Sequence, residues 1–211
     1  MASKNRRNWL LVLPLAGLGI GYLLLLGYLL FGNALGLKAA ARSVSLTPPP
    51  PPVDLWEAYG SAQAVAQARA SDAQLVSASA HWHGVSEDAL LGGPSNWTFV
   101  FYSPASEHSL DVVVNAGMAR VVNQTQVWAT PIAIAEGSWR AGPGDALLVF
   151  LACGGQAFLH EHPQAVVDLH LAGNDEGSPV WTIVALDPET RSLLSLLVDA
   201  ETGQVLSADA S

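Results

Sequence analysis

Two stretches of sequence decide the fold, WTFVFYSPASEHSLDVVVNAGMARVV (97–122) and WTIVALDPETRSLLSLLVDAETGQVL (181–206). They align at a constant offset of 84 residues, without a gap, and eight of the 26 positions are identical. The identities fall at a strand start, a turn proline and a second turn, as expected of a repeated supersecondary unit. The identical pairs are Trp97/Trp181, Thr98/Thr182, Val100/Val184, Pro104/Pro188, Leu110/Leu194, Val114/Val198, Ala116/Ala200 and Val121/Val205.

Each copy has the pattern strand, proline turn, strand, short turn, strand. WTIVAL is apolar and β-branched, DPET is typical of a turn, and SLLSLLV indicates the next strand. DAETG then closes a hairpin, and in the first copy Asn115 and Gly117 supply similar turn residues. We expect Asp199 to shape its turn rather than act as an acid or base. The residues assigned to structural turns are Asp187, Pro188, Asp199, Thr202 and Gly203.

A helix and one further strand precede each triplet. In the first copy, apolar residues at helical spacing predict a helix over 54–70 capped by Asp54, followed by a strand over 75–82. In the second copy, a helix begins with Asp145 as its cap, and 165–171 is the matching strand. The predicted fold class is α+β, with two units that each pack one helix on about four antiparallel strands.

The order of these elements, with the stretches WTIVALDPET (181–190) and VDAETGQVL (198–206), resembles the PepSY and PepSY-like domains of bacterial exported and membrane proteins. The second copy matches better, because VNAGMARVV in the first copy lacks the Asp and the Thr. The resemblance implies a non-enzymatic domain outside the cytoplasm that makes protein contacts or restrains peptidases. It implies no catalytic residues.

The N-terminal part predicts a membrane anchor. Residues 10–31 contain no charge, and at about 1.5 Å per residue they can cross a hydrocarbon layer of about 30 Å. Three basic residues precede this stretch and two follow it, which favours a cytoplasmic N-terminus and a domain in the periplasm or on the cell surface. A signal peptide is the alternative, but its apolar region is typically only about 7–15 residues long.

The chain is therefore divided into five predicted segments. These are a cytoplasmic basic tail (1–9), a transmembrane helix (10–31), a juxtamembrane segment with a polyproline spacer (32–52), and two PepSY-like repeats (53–125 and 126–211). Within the predicted transmembrane region, Gly17 and Gly21 present a small-residue ridge on which a second helix can pack closely. Gly32 and Gly36 repeat the same spacing at the other end.

Charge and cysteine content exclude several classes of function. Residues 43–211 hold four arginines, no lysine and all 18 acidic residues, a net charge of −14, which disfavours nucleic acid as a partner. The single cysteine, Cys153, excludes an internal disulfide, and its apolar surroundings predict a buried structural thiol. Neither a nucleophile elbow nor a dinucleotide or phosphate loop is present, so we expect no enzyme activity and no cofactor.

Histidine pairs and tryptophans are the remaining candidates for a site. His81 and His83 alternate on one strand face, which would suit a metal if Glu161 or Asp168 supplied a third ligand. The other pair is His160 and His162. We expect no metal, because neither pair has helical spacing and both flank predicted loops. The repeat pattern or helical spacing places Trp56, Trp97 and Trp181 in the core. Trp128 and Trp139 flank the connector, where they either anchor a partner or pack the two repeats together.

These features favour a non-enzymatic accessory subunit of a larger membrane complex. An energy-converting complex is one candidate, in which the chain would be supernumerary because it carries no haem, cluster or quinone motif. The expected partners are other membrane subunits and the lipid bilayer. The alternatives are a regulator that restrains a peptidase or senses the envelope, and a module that binds a small ligand or metal.

Overall fold

An eight-stranded antiparallel sheet covered by helices organises the protein in a computed structural model, which describes residues 52–84 and 86–211. The predicted basic tail, transmembrane helix, glycine ridge (Gly17, Gly21, Gly32 and Gly36) and nearly all of the polyproline spacer lie outside the described residues. Within the described ranges, none of the helices combines the length and the apolar character needed to cross a membrane.

The elements follow one another in two matching series. They are α1 (Leu55–Arg69), β1 (Gln74–His83), α2 (Glu87–Leu91), β2 (Asn96–Ser103), β3 (His108–Asn115), β4 (Met118–Gln126), α3 (Pro143–Phe150), a π-helical segment (Leu151–Gly155), α4 (Gln156–Glu161), β5 (Val166–Gly173), β6 (Pro179–Leu186), β7 (Leu193–Asp199) and β8 (Val205–Ala210). Helix α2 has no counterpart in the sequence-based prediction.

The strands lie in the order β4-β3-β2-β1-β5-β6-β7-β8. Each half of the sheet therefore holds the four strands of one repeat, and each half is covered by its own helix, α1 or α3, so the α+β prediction is confirmed at this level. The halves join where β1 pairs with β5, from Ser77 opposite Ala172 to His83 opposite Val166. We refer to this pairing as the seam. The repeats thus share one continuous sheet.

Strand registers preserve the 84-residue offset through the first two strands of each triplet. Trp97 pairs with Val114 on β3, and Trp181 pairs with Val198 on β7, which is the same register 84 residues later. The non-glycine residues Glu107 and Arg191 occupy matching places in the intervening turns, with φ of 54° and 64°. Trp97 and Trp181 therefore occupy equivalent positions in their half-sheets.

The gap-free alignment is wrong for the third strand. In the first repeat, Val114 pairs with Ala119, whereas its counterpart Val198 pairs with Val205, an offset of 86 residues. The two hairpins differ because β3 and β4 are joined by two turn residues, Ala116 and Gly117, both with positive φ. The β7–β8 connection has four residues between Asp199 and Gln204, so two residues are added.

Small residues on α1 and large residues on the sheet form the core of the first repeat. Ala58, Ala62 and Ala66 are fully buried one helical turn apart, so the helix lies close to β2, β3 and β4. Opposite them, Phe99 and Phe101 are completely inaccessible to solvent. Burying a side chain of that size contributes about 1.5–3 kcal/mol. Asp54 caps α1 by accepting from the N–H groups of Trp56 and Glu57, as predicted.

The N-cap of α3, the helix of the second repeat, lies three residues before the predicted cap Asp145. Gly142 is the N-cap and Pro143 the first helical residue, where its fixed φ suits the helix and no N–H is needed. Asp145 instead accepts a hydrogen bond from the Gly142 N–H (2.9 Å). The helical axis is interrupted at Cys153 and Gly154, where φ is −91° and 108°. Cys153 is consequently exposed, and its predicted burial is wrong.

Candidate functional site

The hairpin DAETG is held by its own aspartate. The Oδ1 atom of Asp199 accepts hydrogen bonds from the N–H groups of Glu201 (2.9 Å) and Thr202 (2.7 Å). These bonds lower the pKa of the Asp199 carboxyl, mainly through the Thr202 N–H. The Thr202 hydroxyl accepts from the Gln204 N–H, and Gly203 takes a φ of 75°. The polar residues of this turn are therefore occupied in shaping it.

Ala200, in the same turn, holds the connector between the repeats. It is fully buried, and its carbonyl accepts from the N–H groups of both Arg140 and Ala141, each at 2.8 Å. Its own N–H donates to the Pro179 carbonyl at the start of β6. The hairpin motif thus anchors the segment that leads into α3.

The proline turn after β6 is tied to the loop before β5. Asp187 accepts from the Glu189 N–H and the Thr190 hydroxyl, and the Nδ1–H of His162 donates to its Oδ2 atom (2.7 Å). Together these bonds lower the pKa of Asp187 to about 2, with the Glu189 N–H making the largest contribution. His162 also packs against Phe158, with ring centroids 4.5 Å apart. Pro188 lies within this turn and is exposed.

The first repeat contains a matching carboxylate that sequence comparison missed. Asp72 lies in the loop before β1, and it accepts from the Ser103 hydroxyl (2.7 Å) and the Ala105 N–H (2.6 Å) of the turn after β2. The Ala105 N–H lowers the pKa of Asp72 most, followed by the Ser103 hydroxyl. Ser103 is the 84-residue counterpart of Asp187. No signal within the aligned stretches indicates Asp72, because it lies outside them.

Two tryptophans fix the segments that lead into the helices. Trp97 Nε1 donates to the Val53 carbonyl (3.0 Å), and Trp181 Nε1 donates to the Ala141 carbonyl (2.9 Å). Val53 and Ala141 each directly precede a helix N-cap. Both indoles are almost completely buried, in agreement with their prediction as core residues.

The three other tryptophans of interest differ from one another. Trp139 is buried, stacked on Trp56 at a centroid distance of 4.3 Å and edge-on to Trp181 at 6.4 Å, so it packs the repeats together and offers no anchor to a partner. Trp56 is 47% exposed, and its predicted place in the core is wrong because only the face toward Trp139 is covered. Trp128 is 93% exposed.

The two histidine pairs are used differently. In the second pair, His162 binds Asp187 while His160 is exposed on α4, beside the exposed Glu161. In the first pair, Nε2 of His81 lies 2.7 Å from Nε2 of His83, and Nδ1 of His81 contacts Oδ1 of Asp168 across the seam. Of the predicted third ligands, only Asp168 is therefore brought to the first pair.

A shallow groove runs beside this cluster on the face of the sheet opposite α1 and α3. Its volume is about 370 Å³, and its polar lining includes Ser79, Asn96, Thr98 and His170. Burial lowers the pKa of His170. Within residues 52–84 and 86–211, no group of three or more His, Cys, Asp or Glu side chains has the arrangement of a complete metal site.

Comparisons with known proteins give one structural neighbour. No family model and no curated protein matches the sequence. A solved structure described as a "putative lipoprotein" from Clostridium difficile 630 aligns with a TM-score of 0.46 and 13% sequence identity, over 72% of this chain and 92% of that one.

Proposed function

We propose that this chain is a non-enzymatic, single-pass membrane protein whose extracytoplasmic domain is an accessory subunit of a larger membrane assembly. The domain contacts a partner through the edge of its first repeat, and residues 10–31 anchor it in the bilayer. The PepSY-like identity of the two repeats is part of this proposal, supported by the motif around Asp187 and Asp199 and by the helix-on-sheet layout.

Trp128 is the observation that carries the proposal. Its side chain is 93% exposed two residues after the edge strand β4, although the five other tryptophans among the described residues are buried or stacked on an aromatic neighbour. Exposing a large indole to water forgoes the favourable free energy of burying it. Tryptophan is enriched among the residues that dominate binding energy at protein interfaces. Trp128 therefore has the properties of an anchor that a partner buries.

The edge strand supplies a surface around this anchor. β4 is the last strand of the sheet on its side, and Met118 and Val122 on it are 76% and 49% exposed. A groove of about 500 Å³, lined partly by Val65, Ala68 and Val121, runs between β4 and α1. Exposed apolar edge strands are usually protected or paired, because their free N–H and C=O groups invite another strand.

The turn carboxylates support a structural role. Asp72, Asp187 and Asp199 are the described carboxyl groups with clearly lowered pKa values, and each accepts hydrogen bonds within a turn or between two loops. Groups held in this way remain ionised and are poor proton donors near neutral pH. Their arrangement is that of a scaffold for interaction.

The test is native co-purification of the full chain from its own membranes, with mass spectrometry of the proteins that accompany it. We expect Trp128→Gln to lose the partner while keeping the melting temperature, since the side chain contacts little of its own protein. Gly17→Leu combined with Gly21→Leu should also release the partner, because bulky side chains prevent close helix approach.

Leu206→Gln is the matched control, since Leu206 is also exposed, at 53%, but lies on the opposite edge strand β8. It should leave co-purification unchanged. If Trp128→Gln retains the partner at wild-type yield while the glycine variant loses it, the contact is made by the anchor and the proposed domain surface is wrong. Retention by both variants would overturn the accessory-subunit proposal as a whole.

A further inference from the structure

His81, His83 and Asp168 form a cluster at the seam, on the face of the sheet opposite α1 and α3. Strand alternation places them there, because their neighbours Ala80 and Leu169 point into the core and are buried. Asp168 is the cross-strand partner of His81 in the β1–β5 pairing. The side chains of His81 and Asp168 are 42% and 58% exposed, so the cluster is accessible from solvent.

The hydrogen bonds in this cluster define where the nitrogen lone pairs lie. Asp168 accepts from Nδ1–H of His81, which leaves the Nε2 lone pair of a neutral His81 free to accept. Nε2 of His83 lies 2.7 Å away, and the two rings meet nearly edge to face at 81°, with centroids 4.1 Å apart. The two Nε2 atoms therefore lie within hydrogen-bond distance and share a single proton, which marks the point between them.

We propose that a late first-row divalent cation, represented by Zn²⁺, binds at this point through Nε2 of His81 and Nε2 of His83. Imidazole nitrogen suits Zn²⁺, Cu²⁺ and Ni²⁺. The cation takes the place of the shared proton, and His83 carries its proton on Nδ1 instead, so both imidazoles bind as neutral ligands. Water completes the coordination, since two protein ligands leave positions open on the side of the groove.

Asp168 acts as a positioning residue in this site. A carboxylate on the second ring nitrogen of a ligating histidine fixes the tautomer and ring orientation and increases ligand basicity. The geometry needs only a small adjustment. Tetrahedral zinc with Zn–N bonds of about 2.0–2.1 Å places two nitrogens about 3.3 Å apart. Rotation of the exposed rings achieves the required separation without moving the strands.

The position of the site gives it a measurable consequence. Its two ligands come from β1 and its carboxylate from β5, so the complex spans the strand pair that joins the repeats. A cation that binds only the folded chain stabilises it by mass action. This inference is independent of the proposed partner surface at β4, because the seam lies at the centre of the sheet.

Calorimetric titration of Zn²⁺ into the metal-free full chain tests the proposal. We expect one site per chain and an increase in melting temperature with added Zn²⁺. The double variant His81→Ala with His83→Ala should abolish both effects. Asp168→Asn keeps an acceptor for Nδ1–H but removes the charge, and it should weaken binding about 10- to 100-fold.

His160→Ala and His108→Ala are the matched controls, since both residues lie outside the cluster, and they should bind Zn²⁺ as the wild type does. Circular dichroism of each metal-free variant checks folding. Nitrogen chemical shifts of the wild-type imidazoles provide a reading that needs no mutation, with only the Nε2 atoms of His81 and His83 responding as ligands. Binding by the wild type no tighter than by the double variant, or an Nε2 response at other histidines, would overturn the proposal.

Discussion

In the second repeat, Asp187 on the turn after β6 binds His162 from the loop before β5, whereas in the first repeat Ser103 on the matching turn donates to Asp72 from the loop before β1. The two loops are tied together in both repeats, but the carboxylate comes from opposite sides. In both repeats the aspartate also accepts a hydrogen bond from a backbone N–H of the proline turn, that of Ala105 in the first repeat and that of Glu189 in the second. Both repeats therefore keep a hydrogen-bonded link between these two loops, although the aspartate that makes it lies at different positions.

The last hairpins of the repeats differ for a different reason. The β3–β4 turn has two residues and faces solvent, while the longer β7–β8 turn places the buried Ala200 carbonyl against Arg140 and Ala141. Within the described ranges, only the second hairpin is hydrogen-bonded to the connector between the repeats. The length difference thus follows from the neighbours of each hairpin, and the strand pairs it closes are otherwise alike.

The largest expected effect comes from the two buried tryptophans. Trp97→Ala and Trp181→Ala should each lower the free energy of unfolding by about 3–5 kcal/mol, because both leave a large cavity and remove the bond to a helix-leading carbonyl. Trp97→Phe and Trp181→Phe, which keep most of the volume, should cost less and equally. Urea denaturation measures all four. Effects that differ more than twofold between the partners would break the equivalence of the repeats.

The two hairpins should differ in how strongly a change in length destabilises the domain. Deleting Glu201 and Thr202 should destabilise the domain by about 2 kcal/mol, since the two hydrogen bonds to the Ala200 carbonyl are lost at about 1 kcal/mol each. Inserting Gly-Ser between Gly117 and Met118 should cost only about 0.6 kcal/mol, the loop-closure term for doubling a short loop. Urea denaturation measures both losses of unfolding free energy. Equal losses would show that the bonds from the β7–β8 turn to the connector do not stabilise the domain.

Low pH should weaken the hydrogen bonds that Asp187 accepts in the second repeat. Its pKa of about 2 in the folded state is below the ordinary value of 3.8, so the unfolded chain binds the proton more tightly. The stabilisation is complete above about pH 4 and is lost as the pH falls toward 2. Asp187→Asn should therefore lower the melting temperature at pH 7 and flatten its decrease between pH 4 and pH 2.

Asp72→Asn should act in the same direction, because the pKa of Asp72 is also lowered. Asp209→Asn, on the exposed edge strand β8, is the control and should leave the profile unchanged. Melting temperatures recorded across this pH range decide the matter. If both Asp187→Asn and Asp72→Asn keep the wild-type dependence of melting temperature on pH, the loop-linking aspartates do not contribute to stability at low pH.

The smallest effect concerns the positive-φ residues of the proline turns. Glu107→Gly and Arg191→Gly each relieve the strain of a side chain in the left-handed region but increase the entropy of the unfolded chain. We expect changes in unfolding free energy below about 1 kcal/mol, with the same sign in both repeats. Opposite signs would indicate that the turns are held by different surroundings despite their shared geometry.

Local pattern was sufficient for part of this fold. The repeated strands, the turn residues Asp187 and Asp199 and the helix cap Asp54 follow from periodicity and turn chemistry, which depend on residues near one another in sequence. Trp56 and Cys153 were misplaced because helical spacing and apolar density do not say which side of a helix is covered. That depends on Trp139 and on the interruption at Gly154, both of which act through packing.

The candidate sites also depend partly on local sequence and partly on tertiary packing. The sequence by itself determined that the protein is a tandem α+β repeat with structural turn carboxylates. The reason is that the strand and turn patterns of each repeat depend on residues close together in the chain. Only the tertiary structure decided that β1 pairs with β5, and with it that Asp168 faces His81 across 87 residues of chain. Two edge strands can pair wherever their backbones are free, so sequence pattern does not select the partner. The register of that pairing is set by which faces must be buried under α1 and α3, and this is a property of the assembled core.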